Sequence, residues 1–179
     1  MPAFLTFPLS VLVSTQLALL PASTQVAAGP QGQGAAVSAI VGDIIGYTRW
    51  PVPPAPVRLC LAGAPHHAGR LGAIMLPSGQ GVRVQQVAVP APVEGGDCDV
   101  LYVGGLDAPH ARALLAGARG RAVLTIAEDD DRCRGGAMIC LHVGATSIGF
   151  ELNVDAVSRG AVRIDPRVLR LSRGWEKVE

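Results

Sequence analysis

Residues 99–127, DVLYVGGLDAPHARALLAGARGRAVLTIA, contain the pattern that decides the fold. Asp99–Val103 is almost wholly apolar, which is typical of a strand buried on both faces of a parallel sheet. Asp107 follows as a helix N-cap with Pro109 in the first turn, and the apolar helix residues recur at helical spacing. A second apolar run, Ala122–Ala127, then returns to strand character. The stretch therefore predicts a strand, a helix and a second strand parallel to the first.

Upstream of this unit, helical and strand patterns also alternate. Apolar residues recur at helical spacing from Val37 to Thr48, and the helix is expected to end near Trp50, because the residue before a proline disfavours the helical region. The elements predicted after it are a buried strand at Val57–Ala62, a weak helix at Ala68–Leu76 and a strand at Val82–Val89.

Downstream, two strand-like runs are joined by a short turn and predict a hairpin. These runs are Ala137–Val143 and Ser147–Val154. A short helix follows at Asp155–Arg159, and a last helix is predicted from Asp165, an N-cap, to Gly174. The fold class is therefore α/β: a Rossmann-like sandwich, with a mostly parallel sheet, helices on both faces and a C-terminal antiparallel hairpin.

The composition limits the classes of function. Fifteen Lys and Arg residues against fourteen Asp and Glu residues leave a formal net charge of +1, which argues against a broadly basic nucleic-acid binder. Hydrophobic residues make up 49% of the chain and charged residues 16%, which indicates a buried core rather than a disordered chain.

Residues 1–28 resemble a secretory signal. The apolar run Phe4–Leu20 is followed by small residues, and cleavage is expected after Ala28 or near Ser23. An uncleaved membrane anchor is the alternative, but Pro8 interrupts the run, which falls short of the roughly 20 residues of a span. We therefore expect export, with a signal peptide at 1–28, a linker at 29–35, a single domain at 36–174 and a tail at 175–179.

The four cysteines, Cys60, Cys98, Cys133 and Cys140, form an even set, which predicts disulfides in an exported protein. Even the shortest spacing, with six residues between Cys133 and Cys140, does not match the close pairs of a zinc site, so no metal site is predicted. Three pairings are possible. Two glycines after Arg134 can turn the chain back, which favours Cys133–Cys140 and leaves Cys60 with Cys98.

No catalytic motif is present: the phosphate loop, the H-E-x-x-H helix and the nucleophile elbow are all absent from the sequence. We therefore expect a non-enzymatic protein without a cofactor. The acidic cluster Glu128–Asp131 lacks the spacing of a calcium loop and is interpreted as a solvated loop at the end of a strand. Arg167, Arg170 and Arg173 line one side of the last helix. This side is either a solvated face or a docking surface for a partner, and it is too small for nucleic acid or a membrane.

Seven short blocks of sequence occur in the order that is characteristic of one known family. The blocks are Tyr47-Thr-Arg-Trp-Pro51, Val57-Arg-Leu-Cys-Leu-Ala-Gly63, Cys98-Asp-Val-Leu-Tyr-Val-Gly104, Val123-Leu-Thr-Ile126, Gly135-Gly-Ala-Met-Ile139, Phe150-Glu-Leu-Asn153 and Val168-Leu-Arg-Leu171. In this order they resemble the YfiR/HmsC family, and the resemblance covers about residues 36–173.

The resemblance implies a periplasmic α/β protein, often a homodimer, that binds the periplasmic sensor region of an inner-membrane diguanylate cyclase. It implies that this binding represses the cyclase and lowers cyclic-di-GMP and biofilm formation. It also implies a second partner, an outer-membrane lipoprotein that sequesters the repressor. The family's two disulfides map onto Cys60–Cys98 and Cys133–Cys140, in agreement with the favoured pairing.

A second class of function remains open. Open α/β sheets bind ligands at the carboxyl ends of their strands. Here that edge is expected to contain Gly63, Gly104-Gly105 and Ala127-Glu128. The alternative function is therefore a periplasmic module that senses a small molecule.

Overall fold

The computed structural model describes residues 29–89, 97–128, 130, 133–145 and 147–171. The expected signal peptide at 1–28 and the tail at 175–179 lie outside the described residues. Within the part of the chain that the structure describes, no helix combines the length and the apolarity needed to cross a membrane.

Strands and helices alternate along the described chain. The helices are α1 (Pro30–Tyr47), α2 (Ala108–Gly117) and α3 (Val154–Ser158), with 3₁₀ helices at Ala68–Ala73 and Pro166–Arg170. The strands are β1 (Thr48–Arg49), β2 (Arg58–Gly63), β3 (Arg83–Val87), β4 (Val100–Gly104), β5 (Leu124–Glu128), β6 (Ile139–Val143), β7 (Ile148–Leu152) and β8 (Arg163–Ile164).

Six strands form one sheet in the order β3-β2-β4-β5-β6-β7. Neighbouring strands from β3 to β6 are parallel, and β7 pairs antiparallel with β6 as the predicted hairpin. The mostly parallel α/β fold is therefore confirmed. From β2 the chain first adds β3 on one side and then β4 on the other, so the strand order reverses between β2 and β4. Such a reversal leaves a crevice at the carboxyl ends of the strands.

Helices cover both faces of this sheet, as predicted. On one face, α1 contributes Val37, Val41 and Ile44, which are fully buried in a core shared with the sheet. On the other face, α2 contributes Leu114 and Leu115 to a second core. Burying an aliphatic side chain of this size contributes about 1.5–3 kcal/mol. The two apolar helix faces therefore hold the layers together.

The first helix is longer than the sequence indicates. It begins at Pro30, so residues 30–35, which were predicted to be a linker, are helical. The Gln33 side chain donates a hydrogen bond over 3.2 Å to a backbone carbonyl in the turn between β6 and β7. Gly34 is buried beside the side chain of Arg70. Glycine has a low helix propensity, and these tertiary contacts, which no local pattern reveals, outweigh it.

Four further elements differ from prediction. The weak helix expected at 68–76 is a shorter 3₁₀ helix, and the last helix is a 3₁₀ helix over Pro166–Arg170. Its predicted N-cap, Asp165, is confirmed, whereas the predicted end at Gly174 lies outside the described residues. The strands β1 and β8 were not predicted, because two residues are too few for an alternating pattern to be recognised.

An ion pair joins β2 and β4 near their amino ends. Arg58 donates from Nε and Nη2 to the two carboxylate oxygens of Asp99, over 3.0 and 2.9 Å. This side-chain hydrogen bond raises the pKa of Arg58. The Trp50 indole N–H also donates to the Asp99 carbonyl oxygen over 3.2 Å. These contacts fix the spacing of the two strands whose opposite ends form the candidate site.

Candidate functional site

Two glycines allow close contact between chain segments at the carboxyl ends of β2 and β4. Gly63 has a φ of +83°, which L side chains rarely adopt. A Cβ atom on Gly104 would lie 2.7 Å from the Glu128 Cγ and 2.8 Å from the Pro65 Cβ. The Ala64 N–H donates to the Gly104 carbonyl oxygen over 2.9 Å. The loop after β2 therefore lies directly against the ends of β4 and β5.

Glu128, at the end of β5, is the buried acidic group of this edge, and its side chain has no exposed area. The Tyr102 O–H donates to its Oε2 over 2.6 Å, and the His66 backbone N–H donates to its Oε1. These donors replace the water that burial removes from the carboxylate. The interpretation of Glu128–Asp131 as a solvated loop is therefore wrong at its first residue.

Asp130 organises the turn that follows β5. Its carboxylate accepts hydrogen bonds from the backbone N–H groups of Arg134 and Gly135, over 3.1 and 2.8 Å. Residues 129 and 131 of the predicted acidic loop lie outside the described residues. Asp130 therefore has a local structural role in fixing this turn.

A cleft of about 440 Å³ opens at this edge, next to the place where the strand order reverses. Gly104-Gly105 and Ala127-Glu128 both line it, so the expectation that they meet at one edge is confirmed. Apolar side chains such as Leu106 form part of its wall, and the exposed Arg112 and Arg134 contribute positive charge. Among the described residues, neither arginine has an ion-pair partner. The carboxylates of Glu128 and Asp130 also line the cleft, but both already accept hydrogen bonds from within the chain. The cleft therefore combines apolar walls with two exposed guanidinium groups.

The N-terminus of α2 adjoins the cleft, but a side chain of the protein itself already caps it. Asp107 caps the helix as predicted and accepts a hydrogen bond from the His110 backbone N–H over 2.9 Å. This hydrogen bond lowers the pKa of Asp107. The positive charge available to a ligand in the cleft therefore comes from arginine side chains rather than from the helix end.

The predicted disulfides Cys60–Cys98 and Cys133–Cys140 are both present. The first is buried and ties β2 to the segment before β4, whereas Cys133 in the second is half-buried. Asp130 and the sulfurs of Cys133 and Cys140 lie within 4.8 Å of one another. Sulfurs bonded to each other cannot act as thiolate ligands, so this cluster is not a metal site while the bond is intact.

Two members of the predicted basic stripe, Arg167 and Arg170, are exposed on the last 3₁₀ helix. Arg167 Nη2 lies 2.6 Å from Asp165 Oδ2, and hydrogen bonding to Arg167 lowers the pKa of Asp165 to about 2. Arg173 lies outside the described residues. Arg167 therefore already has a carboxylate partner within the chain.

The hydrogen bond between Tyr102 and Glu128 was not predicted from the sequence. A tyrosine inside a fully buried strand needs a partner for its hydroxyl group, and this requirement was a usable signal. Tyr102 is opposite Ile126 in the parallel register, and Glu128 follows two residues later on the same face of β5. The acceptor could therefore have been sought at the end of the neighbouring strand.

The chain matches a known protein family over most of its length. A family model described as YfiR/HmsC-like matches residues 35–173 of the chain. The matched range contains all the described strands, both disulfides and the residues that line the cleft.

Proposed function

The chain belongs to the YfiR/HmsC-like family, and we propose on this basis that it binds the periplasmic sensor region of an inner-membrane diguanylate cyclase and represses the enzyme. The family acts in the periplasmic regulation of cyclic-di-GMP signalling and is a regulatory domain rather than an enzyme. The single observation that carries the proposal is the family match over residues 35–173. Repression of the cyclase lowers cyclic-di-GMP and biofilm formation.

The two disulfides support this location, because such bonds form and persist in oxidising compartments such as the periplasm. Residues 1–28 act in this proposal as a signal peptide that is removed on export. The protein is a homodimer, and an outer-membrane lipoprotein sequesters it to release the cyclase. Arg167, Arg170 and Arg173 belong to the surface that meets a partner.

Deletion of the gene is expected to raise cellular cyclic-di-GMP and surface attachment, because the cyclase loses its repressor. Nucleotide extraction with mass spectrometry and an attachment assay measure the two effects. The full-length chain is expected to restore both values, whereas a chain without residues 1–28 is not, because it does not reach the periplasm. Unchanged cyclic-di-GMP and attachment in the deletion strain would count decisively against repression.

The partner itself is tested by affinity capture from membranes of the native host. Tagged protein is expected to recover a membrane protein with a cytoplasmic GGDEF-type domain. If deletion of the gene raises cyclic-di-GMP but repeated captures recover no such protein, the chain represses another target.

The cleft at the switch point favours a second candidate function, the sensing of a small molecule. It combines apolar walls with the guanidinium groups of Arg112 and Arg134. Ligands of open α/β sheets bind at this position. Glu128 and Asp130 also line the cleft, but their carboxylates already accept hydrogen bonds from within the chain, so the exposed arginines make a small organic acid a better ligand than a neutral or cationic molecule.

A panel of small aromatic and aliphatic carboxylates, each paired with its neutral amide, tests this candidate by thermal unfolding. A carboxylate that fits is expected to raise Tm by roughly 5–10 °C at a concentration about 100 times its Kd, whereas its amide is not. Arg112→Gln/Arg134→Gln should abolish the rise, and Arg83→Gln, on an edge strand away from the cleft, should not. Equal shifts with acids and amides would refute anion recognition.

A further inference from the structure

Two arginines face each other across the small ladder of β1 and β8. The antiparallel register places Arg49 directly opposite Arg163, and both residues are exposed. Side chains of directly opposed residues lie on the same side of the ladder, with Cβ atoms about 4.5–5.5 Å apart. Like charges in this arrangement are destabilising. Cross-strand pairing therefore gives no reason for the two arginines to be opposed.

The backbone holds both guanidinium groups in place. Arg49 Nη1 donates to two nearby carbonyl oxygens over 2.7 and 3.0 Å. Arg163 Nη1 also donates to two carbonyl oxygens, each over 3.1 Å. Within the described ranges, the remaining donors of the two groups have no acceptor in the chain. Both groups are therefore positioned in advance, so a bound acceptor costs them little further side-chain freedom.

Two more arginines extend this positive surface. Arg167 forms an ion pair with Asp165 and is the main cause of its low pKa, and the charge of Arg49 lowers that pKa further. Arg170 lies one 3₁₀ turn beyond Arg167. We name the surface formed by Arg49, Arg163, Arg167 and Arg170 the basic patch. Among the described residues, Asp165 is the single carboxylate in an ion pair with any of them.

We propose that the basic patch is the docking surface for an acidic segment of a partner protein, whose carboxylates bind Arg49 and Arg163. This inference rests on the proposed function, in which the chain acts by binding another protein. A planar guanidinium group matches a carboxylate with two parallel hydrogen bonds. A membrane surface fits less well, because the patch is small and the whole chain has a net charge of only +1.

Paired variants test the proposal. Arg49→Gln/Arg163→Gln removes the opposed arginines, and Arg83→Gln/Arg119→Gln removes two exposed arginines from elsewhere on the surface. The probes are the periplasmic region of the cyclase captured from the host and a fluorescent poly-glutamate peptide. The basic-patch variant is expected to bind each probe at least about tenfold more weakly, and the control variant to bind normally. Binding of the unaltered protein is expected to weaken as ionic strength rises.

Thermal unfolding of both variants keeps this comparison interpretable, because a cooperative transition with a Tm close to that of the unaltered protein shows that a variant is folded. Equal affinities of the two variants for both probes would overturn the proposal. Binding to phosphatidylglycerol vesicles but to neither acidic probe would also overturn it and would assign the patch to a lipid surface. If no cyclase is captured, the proposed function fails separately. Selective loss of poly-glutamate binding in the basic-patch variant would then still support an acidic protein partner.

Discussion

Replacing both Cys60 and Cys98 by alanine is expected to lower the free energy of unfolding by about 4 kcal/mol. The bond closes a loop with a sequence separation of 38 residues, so its removal frees a long segment of the unfolded chain. Both sulfurs belong to the core on the α2 face, and alanine leaves part of their volume empty. Equilibrium unfolding in denaturant measures the loss, which corresponds to a fall in Tm of roughly 8–16 °C for a domain of this size.

The matched control is Cys133→Ala/Cys140→Ala, which opens a loop with a sequence separation of only 7 residues. The expected loss is about 2.5 kcal/mol, because a short loop restricts the unfolded chain less. The half-buried Cys133 also makes this bond the more accessible to a reductant. A greater loss in this variant than in Cys60→Ala/Cys98→Ala would contradict the argument from loop length. Non-reducing peptide mapping of the unaltered protein verifies both pairings.

The parallel sheet could be predicted because its signals are local. A strand buried on both faces is apolar wherever it occurs, so Val100–Gly104 and Leu124–Glu128 stand out without knowledge of their neighbours. The caps Asp107 and Asp165 were also recognised, because an N-cap side chain binds backbone groups two or three residues away. These elements and their order were sufficient to indicate the α/β class.

The two cysteine pairs differ in whether the nearby sequence indicates the bond. Cys133 and Cys140 are joined across a short turn, which the intervening glycines make visible in the sequence. Cys60 and Cys98 are joined because β2 and β4 are neighbours in the sheet. Nothing local indicates that adjacency, and the pair was inferred from the remaining cysteines and from the family resemblance.

The predictions that failed concern contacts between residues that are far apart in the sequence. Glu128 looked solvated because three acidic residues follow it, yet Tyr102 and the His66 backbone supply the hydrogen bonds that make its burial possible. The opposition of Arg49 and Arg163 likewise exists because two short strands separated by most of the chain form a ladder. Sequence patterns report which side chains are apolar, but they do not report which polar groups meet.

Gly63→Ala is expected to destabilise the protein by about 3 kcal/mol, a fall in Tm of roughly 6–12 °C. The alanine Cβ would require an unfavourable positive φ, and it would also collide with the Gly104 carbonyl oxygen and lie 2.6 Å from the Leu106 Cγ. That carbonyl accepts the Ala64 N–H, so relief of the collision displaces the loop that places His66 against Glu128. Thermal and denaturant unfolding of the purified variant measure the loss.

Gly79→Ala separates the two causes. Gly79 has nearly the same φ, +79° against +83° for Gly63, but nothing lies within 4 Å of its Cβ position. This variant therefore carries the conformational cost without the collision, and we expect a loss of about 1 kcal/mol. Equal losses in the two variants would show that backbone conformation alone accounts for Gly63. A clearly larger loss at Gly63 would identify the missing side chain as the feature that lets β2, β4 and the loop after β2 close around the cleft.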